Sequence, residues 1–236
     1  MNKSSLKKPF ILGILFFLPV IFLLFLYPSK HNYNALEIVD DSVNELINFS
    51  DKDVKLEGNI TILSFVGSQP LSKSTTALNL KELIYDKFLG FKKFQVVTIA
   101  TDEGETELQE LRKQLLDYDA LKYWKFITSS PEEVERLFYS LKSKTKLDDN
   151  FATDEVFIID TEVMQRGRLD DRTDNELAKQ SEVYGLSSYN CVEVAEIKNK
   201  MSEDLRILFT EYRQKRKGNF DSSSRREQDL KNNEED

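Results

Sequence analysis

Residues 59–66 read Asn-Ile-Thr-Ile-Leu-Ser-Phe-Val. The run is apolar and rich in β-branched and aromatic side chains, the pattern of a strand buried on both faces. Downstream, Leu78, Leu83, Ile84 and Phe88 fall at helical spacing and predict a helix over 75–88. A second apolar run follows at 94–100 (FQVVTIA), then Leu108, Leu111, Leu115 and Leu116 predict a helix over 106–116. Residues 124–128 (WKFIT) read as a third strand. Ser130-Pro131-Glu132-Glu133 is a helix start, with a capping serine, proline at the first position and acids against the helix dipole. That helix is predicted to about Lys142. Residues 155–160 (EVFIID) form another strand, paired as a hairpin with Val163 to Leu169, and a loop runs from Asp170 to Tyr189. From Glu193 to about Lys217 a long amphipathic helix carries Val194, Ile197, Met201, Leu205, Leu208 and Tyr212 on one face. The alternation predicts an α/β domain over 54–217, its central mixed sheet flanked by helices.

Upstream, residues 10–27 read FILGILFFLPVIFLLFLY, with no charge. At about 1.5 Å per residue this stretch matches a bilayer core. Lys3, Lys7 and Lys8 precede it and no acid occurs before Glu37, so the positive-inside rule places residues 1–9 in the cytoplasm and the main domain outside it. The expectation is one N-terminal transmembrane helix that contacts the lipid bilayer, on the periplasmic side of a bacterial inner membrane. A cleaved signal peptide has a shorter apolar core and small residues at its exit, whereas the exit here is LYPSKHNYN. Residues 28–53 read as a stalk and packing segment. Residues 218–236 are charged and nearly free of apolar side chains, the composition of a disordered tail.

Composition narrows the chemistry. The chain has 236 residues, one cysteine (Cys191), one histidine (His31) and a net charge of −8. A disulfide framework, a CxxC pair and a multi-cysteine zinc site are excluded. The acidic balance argues against nucleic acid as a partner.

Two segments carry a family resemblance. Val54-Lys55-Leu56-Glu57-Gly58-Asn59, leading into ITILSFV, is similar to the L-x-G-K entry into the first core strand of thioredoxin-like proteins. Val156-Phe157-Ile158-Ile159-Asp160, followed by Arg166-Gly167-Arg168-Leu169-Asp170, resembles their late hairpin. With the N-terminal anchor, the chain most resembles the Sco/SenC proteins, copper chaperones of cytochrome oxidase assembly. That family places C-P-x-x-C after the first core strand and a copper-ligating histidine before the late strand. Here the loop reads Gln69-Pro70-Leu71-Ser72-Lys73, and LDDNFATDEVFIID contains no histidine. Copper(I) prefers thiolate or thioether ligands, and thiol–disulfide exchange needs a thiolate. The resemblance therefore implies a redox-inactive, membrane-tethered Sco-like accessory protein, with a membrane partner in respiratory oxidase biogenesis and no catalytic residue, metal or cofactor. Alternatives are a thioredoxin-fold enzyme using Lys73 or nearby hydroxyls in non-thiol chemistry, and an envelope interaction domain unrelated to copper.

The remaining candidates have plainer readings. Ser68, Ser72, Ser74, Thr75 and Thr76 crowd the entry to the first helix, either as an anion site or as helix caps by Ser74 or Thr75. Asp102, Glu103, Glu105 and Glu107 suit either a cation or the first turn of a helix. Arg166, Arg168, Asp170, Asp171 and Arg172 read as a solvated hairpin face. Met164 is isolated, Met201 belongs to the core stripe, and His31 reads as a stalk side chain. Cys191 reads as a structural thiol, or one that pairs between chains.

Overall fold

The computed structural model describes residues 7–26, 35–116 and 121–216, with side chains in the first stretch only over 12–22. Two units result, Met1–Asn34 and Ala35–Asp236. In the first, α1 spans Lys7–Leu26 with Pro19 inside it. Leu12, Leu15, Phe16 and Leu18 expose most of their surface. Among the described residues no helix is long and apolar enough to cross a membrane. His31 and the tail at 218–236 lie outside the described residues.

The second unit is built on one mixed sheet. Its elements, in chain order, are β1 (Glu37–Asp40), β2 (Ile60–Gly67), a 3-10 turn (Pro70–Lys73), α2 (Ser74–Leu80), a π-helical turn (Lys81–Tyr85) and α3 (Asp86–Phe88). There follow β3 (Phe94–Thr101), a 3-10 turn (Asp102–Gly104), α4 (Glu105–Leu116), β4 (Trp124–Ser129) and α5 (Pro131–Tyr139). The last part comprises β5 (Ala152–Ile159), β6 (Gln165–Gly167), α6 (Asp174–Ala178), β7 (Tyr189–Asn190), α7 (Val194–Glu196), a π-helical turn (Ile197–Met201) and α8 (Ser202–Arg216).

Strand order is β1-β6-β5-β2-β3-β4, with β7 added to β5. β2, β3 and β4 are parallel, whereas β5 runs antiparallel to β2, and β6 antiparallel to β5. A parallel βαβ unit joined through its first strand to an antiparallel hairpin and a closing helix is the thioredoxin-like arrangement, here with β4 as an extra parallel edge strand. The crossovers β2–α2–β3 and β3–α4–β4 move the same way along the sheet, so the usual right-handedness puts α2 and α4 on one face.

Burial follows from this layering. Every residue of β2 and β3 is buried, as expected for strands covered on both sides. Alternate side chains enter opposite cores. Ile62, Val96 and Ile158 meet Leu80, Ile84, Leu111, Leu205 and Phe209. Leu63, Val97 and Phe157 face Val134, Leu137 and Phe138 of α5, together with Leu46 and Phe49.

The helix predicted over 75–88 is three pieces, α2, a π-helical turn and α3, and starts one residue earlier. The last helix is likewise interrupted at Ile197–Met201, and Val194, predicted on its apolar face, is exposed. The capping serine before α5 is seen as expected, with the Glu133 N–H donating to Ser130 Oγ at 3.4 Å. Within the segment read as stalk and packing, β1 forms an edge strand antiparallel to β6.

Candidate functional site

The loop leaving β2 lies where the βαβ unit meets the late hairpin. Gly67 ends the strand at φ +63°, and a Cβ there would stand 1.8 Å from the Asn150 carbonyl oxygen. The Ser68 N–H donates to that oxygen at 2.8 Å. The segment 148–151 is thus pressed against the strand end. Asp148 shapes it, accepting at Oδ1 from the N–H groups of Asn150 (2.9 Å) and Ala152 (3.0 Å). Phe151 sits at φ +61°, a left-handed conformation that costs an L-residue about 1–2 kcal/mol.

On the other side, Gly104 packs so closely that a Cβ would meet the Gly67 carbonyl oxygen at 2.6 Å and Pro70 Cδ at 3.1 Å. Pro70 is buried and opens the 3-10 turn. The Leu71 N–H donates to Glu107 at 3.2 Å. Asp102, Glu103 and Glu105 face solvent. Leu71, Glu105, Glu107 and Glu110 line part of a shallow groove of 540 Å³ beside this turn.

Gln69 is exposed, its carbonyl oxygen accepting from Ser72 Oγ at 2.7 Å. Lys73 turns inward, with its side chain only 14% exposed. Its ammonium lies 3.2 Å from Asp154 and 3.8 Å from Asp148. Thr76 Oγ1 donates to the other Asp154 oxygen at 2.7 Å. Ser74 does not cap the helix; its hydroxyl donates back to the Leu71 carbonyl oxygen at 2.5 Å. The structure therefore brings Lys73 together with two carboxylates, buries Pro70 against Gly104, and leaves Gln69 facing solvent. Asp148 and Asp154 escape a sequence reading because they come from a segment with no periodicity, brought in by the β2–β5 pairing.

An ammonium flanked by two carboxylates has its charge compensated, which suits a structural ion pair. Among the described residues, no three His, Cys, Asp or Glu side chains are grouped to hold a metal ion. Cys191 lies behind the site. Its N–H donates to the Asp154 carbonyl oxygen at 2.9 Å, and its own carbonyl accepts from Asn79 at 2.9 Å. Complete burial pushes the thiol well above its ordinary range, and the carboxylates of Glu155, Asp154 and Glu196 add to the shift. Such a thiol is inert, and pairing between chains would require the fold to open. A disulfide reagent at pH 8 is expected to leave native Cys191 unlabelled over minutes and to label it fully in urea. Rapid labelling of the folded chain would contradict this.

The arginine pair corrects the reading of a solvated hairpin face. Arg166 is 5% exposed. It donates to Asp160 at 2.8 Å, to Glu211 at 2.6 Å, and to the Leu36 carbonyl oxygen from both Nε (3.1 Å) and a terminal nitrogen (2.6 Å). Lys215 completes the group, 3.1 Å from Glu211. Arg168 grips Asp204 through three hydrogen bonds of 2.9–3.1 Å and Asp171 through one of 3.0 Å. The Tyr189 hydroxyl also donates to Asp204, at 2.7 Å. Burial raises the Asp204 carboxyl above the usual range, against the hydrogen bonds from Arg168 and Tyr189. Asp170 keeps the solvated reading, exposed and 2.6 Å from Arg172, whose own side chain is half-buried and donates to the Ser181 carbonyl oxygen at 2.8 Å. A signal was present: Asp204 and Glu211 are seven residues apart, in phase with the buried stripe of Met201, Leu205 and Leu208. Charges inside an apolar stripe call for partners across the interface.

No family model and no curated protein matches this sequence. Solved structures do. The chain is similar to BsSco, described as a member of the Sco family of cytochrome c oxidase assembly proteins, with 13% identity, a TM-score of 0.46, and coverage of 74% of this chain and 97% of that one. It is similar to Arabidopsis thaliana ScoI with copper bound, at 14% identity and TM-score 0.40, covering 70% and 98%. A third likeness is to a protein disulfide isomerase homologue from Bacteroides thetaiotaomicron, at 14% identity and TM-score 0.39, covering 74% and 90%. Strand order and direction, rather than these likenesses, carry the fold.

Proposed function

We propose that the chain is a membrane-tethered, redox-inactive Sco-like accessory protein that acts by binding a partner in respiratory oxidase assembly. The observation that carries this reading is Lys73. At the loop where thioredoxin-like proteins keep their reactive thiols, this chain holds an ammonium 3.2 Å from Asp154, and its one cysteine is sealed in the core. Neither a soft copper ligand nor a thiolate is offered there. What remains is a shaped surface: exposed Gln69 and Ser72, and the groove beside Leu71.

The sequence supports the tether: the 18 uncharged residues 10–27 would extend about 27 Å as a helix, close to the thickness of a bilayer core, and Lys3, Lys7 and Lys8 before them would orient it. In this reading the N-terminus is cytoplasmic and the domain lies on the periplasmic side of a bacterial inner membrane. Function then resides in contact with a membrane protein of the respiratory chain, and no reaction is catalysed.

The test is mild-detergent purification of the tagged full-length chain from its native membrane, with co-purifying proteins identified by mass spectrometry. Oxidase subunits or copper-handling proteins are expected, and they should be lost in a Gln69→Glu/Ser72→Glu double variant that folds normally. Recovery of unrelated envelope proteins would overturn the oxidase assignment. Tight Cu(I) binding in a competition titration would overturn the inactive site.

A further inference from the structure

We propose that the face formed by α3, the turn after it and α8 binds the anionic phosphate headgroups of the bilayer that holds α1. The inference rests on the membrane-tethered reading above. Three cations meet there, and a fourth, Lys92, follows in the turn. Lys87 Nζ donates to Ser202 Oγ on α8 at 2.5 Å. Arg206 is one turn further along, close enough that its charge, after burial, helps hold the Lys87 ammonium below the usual lysine range. Arg213, seven residues on and so on the same side of the helix, lies over the Phe91 ring at 5.7 Å. Lys92, next to Phe91, is exposed. Beneath them Phe91 and Phe209 stack at 4.0 Å, with Phe88 against both, giving the cations a rigid apolar base.

Among the described residues, none of these four cations is in an ion pair with a carboxylate. The neighbouring acids are engaged or set apart: Asp86 is held by Lys81 at 3.0 Å, Glu203 lies 3.7 Å from Arg168, Glu211 is inside the Arg166 group, and Glu82 stands exposed a turn earlier. Like charges held this close are relieved by an anion.

Charge complementarity selects the occupant. The first 27 residues carry +3 and the remaining 209 carry −11, so an anionic surface repels the domain except where cations are segregated. Only eight residues, 27–34, join α1 to the domain in the sequence. A bilayer holding α1 is therefore present at high effective concentration, an advantage that a free acidic protein lacks.

The test uses the full chain in nanodiscs of phosphatidylcholine alone or with one third phosphatidylglycerol. Trp124, the single tryptophan, is the energy-transfer donor to dansyl-labelled headgroups; it packs on Tyr85 at 5.2 Å, next to this aromatic group. Transfer is expected to rise with phosphatidylglycerol and to fall back in 0.5 M salt or in a Lys87→Glu/Arg206→Glu/Arg213→Glu variant. Where the chain is not held by α1, its sedimentation with phosphatidylglycerol vesicles should weaken by about fivefold per cation neutralised. A Lys144→Glu/Lys146→Glu variant, altered at exposed positions elsewhere, should match the parent. Equal transfer in both discs, or a rise that survives charge reversal, overturns the proposal. A chain that fails to enter discs overturns the tether instead, and vesicle sedimentation then decides the face separately.

Discussion

Replacing Arg166 by methionine is expected to lower the unfolding free energy of the domain by about 3–5 kcal/mol, because removing one partner of a buried ion group leaves the others uncompensated. Asp160 and Glu211 have side chains only 6% exposed, and the Leu36 carbonyl oxygen would lose both its donors from this residue. At this domain size the midpoint of thermal unfolding should fall by roughly 10 °C. The measurement is a denaturation curve on the full chain. A simultaneous Arg166→Met/Asp160→Asn/Glu211→Gln variant should recover part of the loss, since the orphaned charges go with the arginine. A single variant as stable as the parent would mean that water reaches these carboxylates.

Gly67→Ala is the second large effect, expected at about 2–4 kcal/mol from a left-handed φ together with a Cβ placed on the Asn150 carbonyl oxygen. Neither backbone can yield alone, since Ser68 and Asn150 are hydrogen-bonded to each other at 2.8 Å. If segment 148–151 shifts to make room, it carries Asp148 away from Lys73, and proteolysis within 148–151 should quicken. Gly90→Ala is the control. A Cβ there meets nothing within 4 Å, so its effect should stay within about 0.5 kcal/mol. Equal stability of the two variants would remove the close contact from this account.

The parallel core was legible in the sequence because β2 and β3 are buried on both faces and therefore read as unbroken apolar runs. Leu108, Leu111 and Leu115 announced α4 by spacing alone. β1 was hidden: it has four residues, two of them exposed, and is held by a contact from Arg166 that no local pattern encodes. The site was half legible. Gln69, Pro70 and Lys73 could be placed by resemblance, but the carboxylates that neutralise Lys73 come from Asp148 and Asp154, which only the β2–β5 pairing brings near. Arg166 and Arg168 were misread because charge in a sequence suggests solvent, whereas partners on α8 allow burial.

The grip of Arg166 on the Leu36 carbonyl spans 130 residues, and its bond to Glu211 spans a further 45. During synthesis the chain's earliest strand must therefore wait, unpaired, until most of the domain has emerged, and it gains its last support only when α8 arrives. Contacts of such long range slow folding. A nascent chain stopped before residue 165 should hold its parallel strands while β1 still exchanges its amide protons freely, and one stopped between 167 and 211 should protect β1 through β6 while lacking the Glu211 support that the last helix brings.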